Sequence, residues 1–420
     1  MLEMNLQQEL LKDLRPSGEE LDHLYFVAEH IMWGLIKELN DDFKVEFEGS
    51  FAKNTFLSGN SDIDIFVKVP KEYDEDQFKH YITPMIKKAL EKLGVRTSIS
   101  YASHPYVRGE TMGVEIDVCP CYNLDDATRI YSAVDRTPFH TQYIKENLDE
   151  REQDEVRILK QFLKAHNLYG ANEKVRGFSG YLCELLIIKH KKFIKVCTSD
   201  LHDLLWDGLT KGITDVYMED PVDHNRNVAA GLSIEKAVEF VLATRTYLSD
   251  ISKNVYEGEW NSFVQEIKEK HFTIPKEETL NNHYLTWEFD ARDTYGAILT
   301  FKDVSENEEV LYSKARKFLK KAEALLNRHD FKTFPGKYFV SGKDVHVVVE
   351  VEHVTIPKDK IVEGPSIHLK DGPYLIDDFR RVHQNDKLYI EEDKIKCIVK
   401  RKYNSMTQLL EDHYQDIEYV

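Results

Sequence analysis

The sequence predicts an α+β multidomain chain in three regions: a sheet with helices packed on one side, a helical central region, and a C-terminal α/β region. Three observations lead there. Apolar residues alternate at period two in four segments between residues 43 and 120, recur at helical spacing from about 125 to 270, and alternate again in segments beyond Pro275. With 420 residues the chain also exceeds the size, roughly 250–300 residues, at which one hydrophobic core stops growing. No internal repeat or low-complexity tract interrupts the pattern. The regions are expected at residues 1–137, 138–275 and 276–420.

The elements follow in order. Ser17-Gly-Glu-Glu20 is a capping-box pattern, opening a helix through LDHLYFVAEHIMWGLIKELN. FKVEFEG (43–49) alternates as a strand and ends at Gly49-Ser50; SDIDIFVKV (61–69) alternates again until Pro70 closes it. A charged helix spans about Asp74 to Leu93, and strands follow at VRTSISYA (95–102) and MGVEIDVCP (112–120). Beyond Asp125 come helices at Pro138–Leu148, Glu150–His166, Phe178–Ile194, Leu201–Leu209, Ser233–Leu248 and Glu259–Glu269. Strand-like segments then return at 282–293, 345–356 and 387–403, with a basic helix over 312–328.

The net charge is −18, which taken alone argues against a nucleic-acid partner. Two tracts run the other way. Nine Lys/Arg lie between Val156 and Val196 against Glu173 and Glu184, and six lie between Tyr312 and Arg328 against Glu323 alone. They read either as phosphate-binding surface or as solvated helix faces. Of the five cysteines only Cys119 and Cys121 are close in sequence, and no further pair or histidine spacing completes a structural zinc site. No stretch approaches the ~20 apolar residues of a membrane span, so no membrane partner is expected and the chain reads as cytoplasmic.

The chemistry concentrates in GSFAKNTFLSGNSDIDIF (49–66). Residues two apart on a strand share a face, so Asp62 and Asp64 point one way while Ile63, Ile65 and Val67 take the other. Paired carboxylates need a compensating partner: water, an arginine or a metal ion. Mg²⁺ prefers one or two carboxylates plus substrate phosphates. If GVEIDVCP is a neighbouring strand, Asp117 completes a three-carboxylate site for two-metal phosphoryl transfer. Upstream, Gly49 permits close backbone approach, Ser50 and nearby N–H groups at a helix start suit a phosphate, and Lys53 lies one turn on. The Walker pattern is absent.

Gly-Ser, a spacer of about ten residues, Asp-x-Asp in a strand and a lone Asp in a later strand resemble the palm of the polymerase-β-type nucleotidyltransferases, a mixed sheet with helices on one side. RTPFHTQYIKENL (136–148), KVRGFSGY (174–181) and DPVDHNRNVAA (220–230) narrow the likeness to archaeal-type (class I) CCA-adding enzymes. That resemblance covers most of residues 17–250 and is diffuse in the C-terminal third. It implies template-independent addition of the 3′-terminal CCA to tRNA from CTP and ATP, with attack of the tRNA 3′-hydroxyl on the α-phosphate and departure of pyrophosphate.

By the same resemblance Asp62, Asp64 and Asp117 hold two Mg²⁺ ions, and Gly49, Ser50 and Lys53 meet the triphosphate. His140, Lys160 and Tyr169 complete the nucleotide pocket, and Arg226 faces the base. The acceptor stem and T arm of tRNA are expected against the C-terminal region, with Lys317, Lys320, Lys321, Lys400 and Arg401 as candidate phosphate partners. The C-terminal β segments also offer a surface for a homodimer. Three readings compete: a poly(A) polymerase or oligoadenylate-type synthase, a catalytically inactive RNA-binding palm, and a nucleotidyltransferase acting on a small molecule or protein.

Overall fold

The structure, a computed structural model, describes residues 2–59, 62–101, 105–199, 216–253, 259–275, 289, 291–305, 307–366, 368 and 372–420. It divides into two compact units, Met1–Lys276 and Glu277–Val420. No helix among the described residues is long and apolar enough to cross a membrane.

The first unit opens with α1 (Leu2–Leu14) and α2 (Gly18–Glu38). Ser17 caps α2 by accepting from the Glu20 amide at 3.1 Å, a bond worth about 1 kcal/mol. Leu24, Val27, Ala28, Ile31 and Leu35 then bury one stripe of the helix. A five-stranded sheet follows in the order β1-β2-β5-β4-β3: β1 (Lys44–Glu48), β2 (Ile63–Val69), β3 (Arg96–Tyr101), β4 (Pro105–Thr111) and β5 (Val114–Tyr122). The four-residue α3 (Gly49–Ala52) turns straight out of β1. Strands β2 and β5 run parallel and the other pairs antiparallel, so the sheet is mixed. Ile63, Ile65, Val67 and Val69 are each 0% exposed, and each contributes on the order of 1.5–3 kcal/mol of burial against the helices on that face.

Two segments differ from the sequence reading here. The expected strand from Met112 starts at Val114, because Met112 (φ +51°) and Gly113 (φ +76°) form the two-residue reversal that pairs β5 with β4. The expected helix from Asp74 to Leu93 is divided into α4 (Glu75–Gln77), a π-helical turn (Phe78–Ile82) and α5 (Thr83–Lys92).

The helical region has its own core. It contains α6 (Thr137–Asn147), α7 (Glu150–Ala165), α8 (Gly180–His190), α9 (Phe193–Thr198), α10 (Ile234–Ile251) and α11 (Trp260–His271), with a hairpin of β6 (Glu219–Asp220) and β7 (Asp223–Asn227). The helix expected over 178–194 starts only after the Ser179 cap and stops at Lys191 in a left-handed conformation. The DHNRN segment, given no element by the sequence reading, is strand β7. The helix expected at 201–209 lies outside the described residues. Leu6, Leu10 and Leu14 of α1 join this helical core, not the one beneath the sheet. Arg157 of α7, 4% exposed, ties the two parts by donating to Phe56 O (2.9 Å), Asn54 O (2.7 Å) and Asn54 Oδ1 (2.8 Å).

In the second unit β14 (Ile417–Tyr419), β8 (Tyr295–Lys302), β10 (Asp344–Val351) and β9 (Thr333–Ser341) form one sheet in that order. Helix α12 (Glu308–Arg328) packs on it through Leu311, Ala315, Leu319, Ala322 and Leu326. A second sheet, β11 (Asp359–Ser366), β13 (Lys394–Lys400) and β12 (Lys387–Glu391), accompanies α13 (Gly372–Val382), and α14 (Met406–Glu411) follows. The segment read as one strand-like run over 387–403 is a hairpin reversing at Glu392 (φ +51°) and Asp393. The strand expected at 282–293 falls largely outside the described residues, its described positions 289 and 291–293 are helix and turn, and the first strand among the described residues of this unit begins at Tyr295.

Candidate active site

Register builds the site. Asp64 on β2 is the pairing partner of Asp117 on β5, of Glu48 on β1, and through Asp117 aligns with Arg108 on β4. One row of charge thus crosses the sheet on the face opposite the buried Ile63, Ile65, Ile116 and Val118. Burial, then the charges of Asp117 and Asp62, push the Asp64 carboxyl up to about 7, with Lys53 opposing. Arg108 forks onto Asp117, Nε to Oδ1 at 3.1 Å and Nη2 to Oδ2 at 3.3 Å. Glu48 is 2% exposed, its Oε2 has no hydrogen-bond partner among the described residues, and burial raises its carboxyl as well.

Gly49 is required by this packing. Its φ is +64°, and a Cβ there would stand 1.8 Å from Asp64 Oδ2. Its absence lets α3 start against the carboxylate, with Ser50 in the first turn and no side-chain cap on the helix start.

Opposite this face the helical region supplies a wall of two ionic networks. In the first, Glu184 of α8, 1% exposed, accepts from Lys53 Nζ at 2.7 Å and Thr55 Oγ1 at 2.6 Å. Lys160 Nζ lies 3.7 Å from the same carboxylate and donates to Thr55 O at 2.9 Å. Burial alone would raise Glu184; Lys53 and Lys160 outweigh it and hold the group below its ordinary value. Gly180, at the start of α8, lets Tyr169 and Lys160 approach, since a Cβ there would meet the Tyr169 hydroxyl at 3.1 Å.

In the second network Asp220, 0% exposed, gathers His140 Nε2 (2.8 Å), Arg226 Nη1 (2.8 Å), the Tyr181 hydroxyl (3.1 Å) and the Val222 amide (3.1 Å). Burial would raise this carboxyl, yet the bonds from His140, Val222 and Arg226 hold it down to about 2. The His140 ring stacks on Tyr181 at 3.9 Å, and Lys53 Nζ stands 6.0 Å over the Tyr181 ring, joining the two networks.

Of the sequence-predicted residues of the first unit, Asp64 and Asp117 lie on the sheet face and Lys53, His140, Lys160 and Arg226 in the networks of the wall. Asp62 is exposed just before β2 and does not close with Asp64 and Asp117 into a compact cluster; among the described residues only His383, Asp386 and Cys397 bring three donors within 4.8 Å. Lys53, expected to reach out to an anion, is buried and paired with Glu184. Arg157 and Lys160, counted in a basic tract, are neither phosphate-facing surface nor a solvated face; both are buried and satisfied within the protein. Sequence reasoning missed Glu48, Arg108, Tyr181, Glu184 and Asp220. A lone Glu inside the apolar helix GYLCELLIIKH was the available signal for Glu184.

In the second unit Lys317, Lys320 and Lys321 are exposed along α12, and Lys400 is exposed at the end of β13. Arg401 is not offered outward: it donates to Asp330 Oδ2 (3.1 Å), Pro357 O (2.8 Å) and Asp359 O (2.6 Å).

The arrangement suits a divalent cation. Hard oxygen donors stand in register with more negative charge than one arginine offsets. The chain is also similar to known proteins. Family models match in succession: a nucleotidyltransferase domain over residues 31–140, the second domain of tRNA nucleotidyltransferases over 154–257, and the C-terminal domain of CCA-adding enzymes over 292–418. The CCA-adding enzyme of Methanocaldococcus jannaschii is 31% identical, covering 96% of this chain and 89% of its own. That of Methanothermobacter thermautotrophicus is 31% identical, covering 96% and 87%. Among solved structures, a cytoplasmic RNA terminal U-transferase matches at 13% identity and a TM-score of 0.48, over 65% of this chain and 99% of that one.

Proposed function

The chain belongs to the archaeal-type CCA-adding enzymes, and we propose that it builds the 3′-terminal CCA of tRNA from CTP and ATP at the carboxylate face of its five-stranded sheet. The observation that carries the location is the pairing of Asp64 with Asp117 in adjacent parallel strands.

Asp62, Asp64 and Asp117 would hold magnesium, which when bound would supply neutralisation of phosphate charge and a lowered pKa for the attacking hydroxyl. The protein's own groups do the rest. Ser50 and the amides of the first turn of α3 receive the triphosphate, with Gly49 keeping the backbone clear of Asp64. Lys53 and Lys160 outnumber Glu184, leaving a net positive charge behind that position. His140, Tyr169 and Arg226 line the nucleoside end, where Asp220 fixes the orientation of two of them. A base that leaves these donors unpaired is rejected, which is how a pocket selects C and A without a template. The region over 1–137 supplies the palm, 138–275 the pocket wall, and 276–420 the surface for the acceptor stem and T arm. The enzyme acts in the cytoplasm, as a monomer or a homodimer.

The test uses tRNA lacking its terminal trinucleotide, each nucleoside triphosphate supplied singly and together, and sequenced product ends. CTP alone is expected to add two C residues, and CTP with ATP to add CCA and stop. An open-ended A tail would overturn the reading in favour of a poly(A) polymerase. In Asp64→Ala, incorporation of CMP and AMP is expected to fall together by roughly a thousand-fold or more, about 4 kcal/mol of transition-state stabilisation, while tRNA binding persists. Survival of AMP addition alone would require a second site.

A further inference from the structure

The sheet β11-β13-β12 and helix α13 form the part of the second unit with the least core. Between Asp359 and Lys400 the buried residues among those described are Ile395 and Cys397, at 9% and 0% exposure. Apolar side chains that would ordinarily fill a core point outward instead: Ile361 (58% exposed), Tyr374 (79%), Val382 (73%) and Ile390 (74%). A helix and three short strands with so little burial need a staple, and small units ordinarily find one in a disulfide or a bound metal. Cys397 is a free cysteine, as are the other four.

The same segment supplies a donor set. Helix α13 ends at Val382, and a turn closed by Asp386 N donating to His383 O at 3.1 Å swings His383 and Asp386 to one side. Cys397, in the middle strand of the sheet, completes the group, with one imidazole nitrogen, one carboxylate oxygen and the thiol sulfur all within 4.8 Å of one another. His383 Nδ1 already lies 2.8 Å from Asp386 Oδ2. Nitrogen, oxygen and thiolate sulfur together are zinc donors, unlike the all-oxygen set of the catalytic face.

We propose that His383, Asp386 and Cys397 form a zinc site, with water as the fourth ligand, that pins the end of α13 to strand β13. Binding is balanced by release of the Cys397 thiol proton to solvent as the sulfur–zinc bond forms. The site stands apart from the catalytic carboxylates in chemistry and in sequence, so it does not depend on the function proposed above.

The experiment uses the full chain, stripped with a chelator and reloaded with Zn²⁺ or Co²⁺ in excess Mg²⁺, which occupies oxygen-only sites. The expected result is one equivalent of zinc retained per chain, a rise in Tm on zinc addition, and a near-ultraviolet thiolate-to-cobalt charge-transfer band. That band is expected to vanish in Cys397→Ser. Should Cys397→Ser not fold, Asp386→Asn at the half-buried position carries the test, with zinc affinity expected to fall at least about ten-fold. The proposal is overturned if no zinc is retained, if the band persists undiminished in Cys397→Ser, or if Asp386→Asn leaves affinity unchanged. Absence of zinc together with a concentration-dependent dimer would assign the exposed apolar residues to a second copy instead.

Discussion

On the sheet face of the first unit, Asp64 and Asp117 stand in register with Arg108 as the one fork on Asp117, while Glu48 leaves a buried oxygen unpaired among the described residues. Across from them on the helical wall, Glu184 gathers Lys53, Thr55 and Lys160, and Asp220 gathers His140, Arg226, Tyr181 and the Val222 amide. Both regions withdraw carboxylates from water, fully at Glu48, Glu184 and Asp220 and partly at Asp64 and Asp117. The wall lowers its carboxyls and the face raises one to about 7. The difference suggests a division that can be tested: compensated groups hold geometry, and uncompensated groups are the ones we propose for a cation and a substrate.

If that division is right, the two kinds of carboxylate fail differently when removed. Asp64→Ala, expected to abolish nucleotide addition, should leave thermal stability unchanged or slightly higher, because it relieves repulsion and breaks no hydrogen bond or ion pair among the described residues. Glu184→Ala should do the reverse. It leaves Lys53 and Lys160 buried without their counter-charge, a loss of about 3–5 kcal/mol measurable by urea denaturation. Equal destabilisation by both substitutions would erase the distinction between face and wall.

Acidity gives a gentler probe of the same contrast. The folded-state Asp64 carboxyl titrates near 7 against an ordinary 3.8, so between these values the native state binds more protons than the unfolded chain. Stability contributed by this group is therefore present below about pH 4 and is lost as pH rises through 7. Wild type is expected to lose stability over that window relative to Asp64→Asn. Magnesium should flatten the difference, since it binds the ionised form. A parallel pair of pH profiles, with and without magnesium, would remove Asp64 as the uncompensated group.

How much of this was legible beforehand follows from the range of the interactions. The carboxylate pair was readable because strand alternation is local, and Asp117 because its own strand alternates too. The networks of the wall were not. His140 meets Asp220 eighty residues away, and Lys53 meets Glu184 at a separation of 131, so no spacing rule joins them. Strand β4 went unread because Pro105 and Gly109 weaken its pattern, and with it went Arg108, whose pairing with Asp117 exists only once β4 is placed. The helix break at Lys191 was hidden inside a run of lysines that favours continuation.

The smallest expected effect carries the contrast into the second unit, where it can be read through salt. Lys317, Lys320 and Lys321 are exposed on α12, whereas Arg401 spends its donors on Asp330, Pro357 and Asp359. By the logic above the lysines act on a partner and the arginine holds the fold. Replacing the three lysines by glutamine should weaken tRNA binding and reduce the slope of log affinity against log salt by roughly 0.7–0.9 for each phosphate partner lost. Arg401→Ala should leave that slope where it is and lower the stability of the chain, because the turn between Pro357 and Asp359 loses its anchor. A slope that responds to Arg401 and ignores the lysines would show that pairing in the free protein does not predict which cations meet RNA.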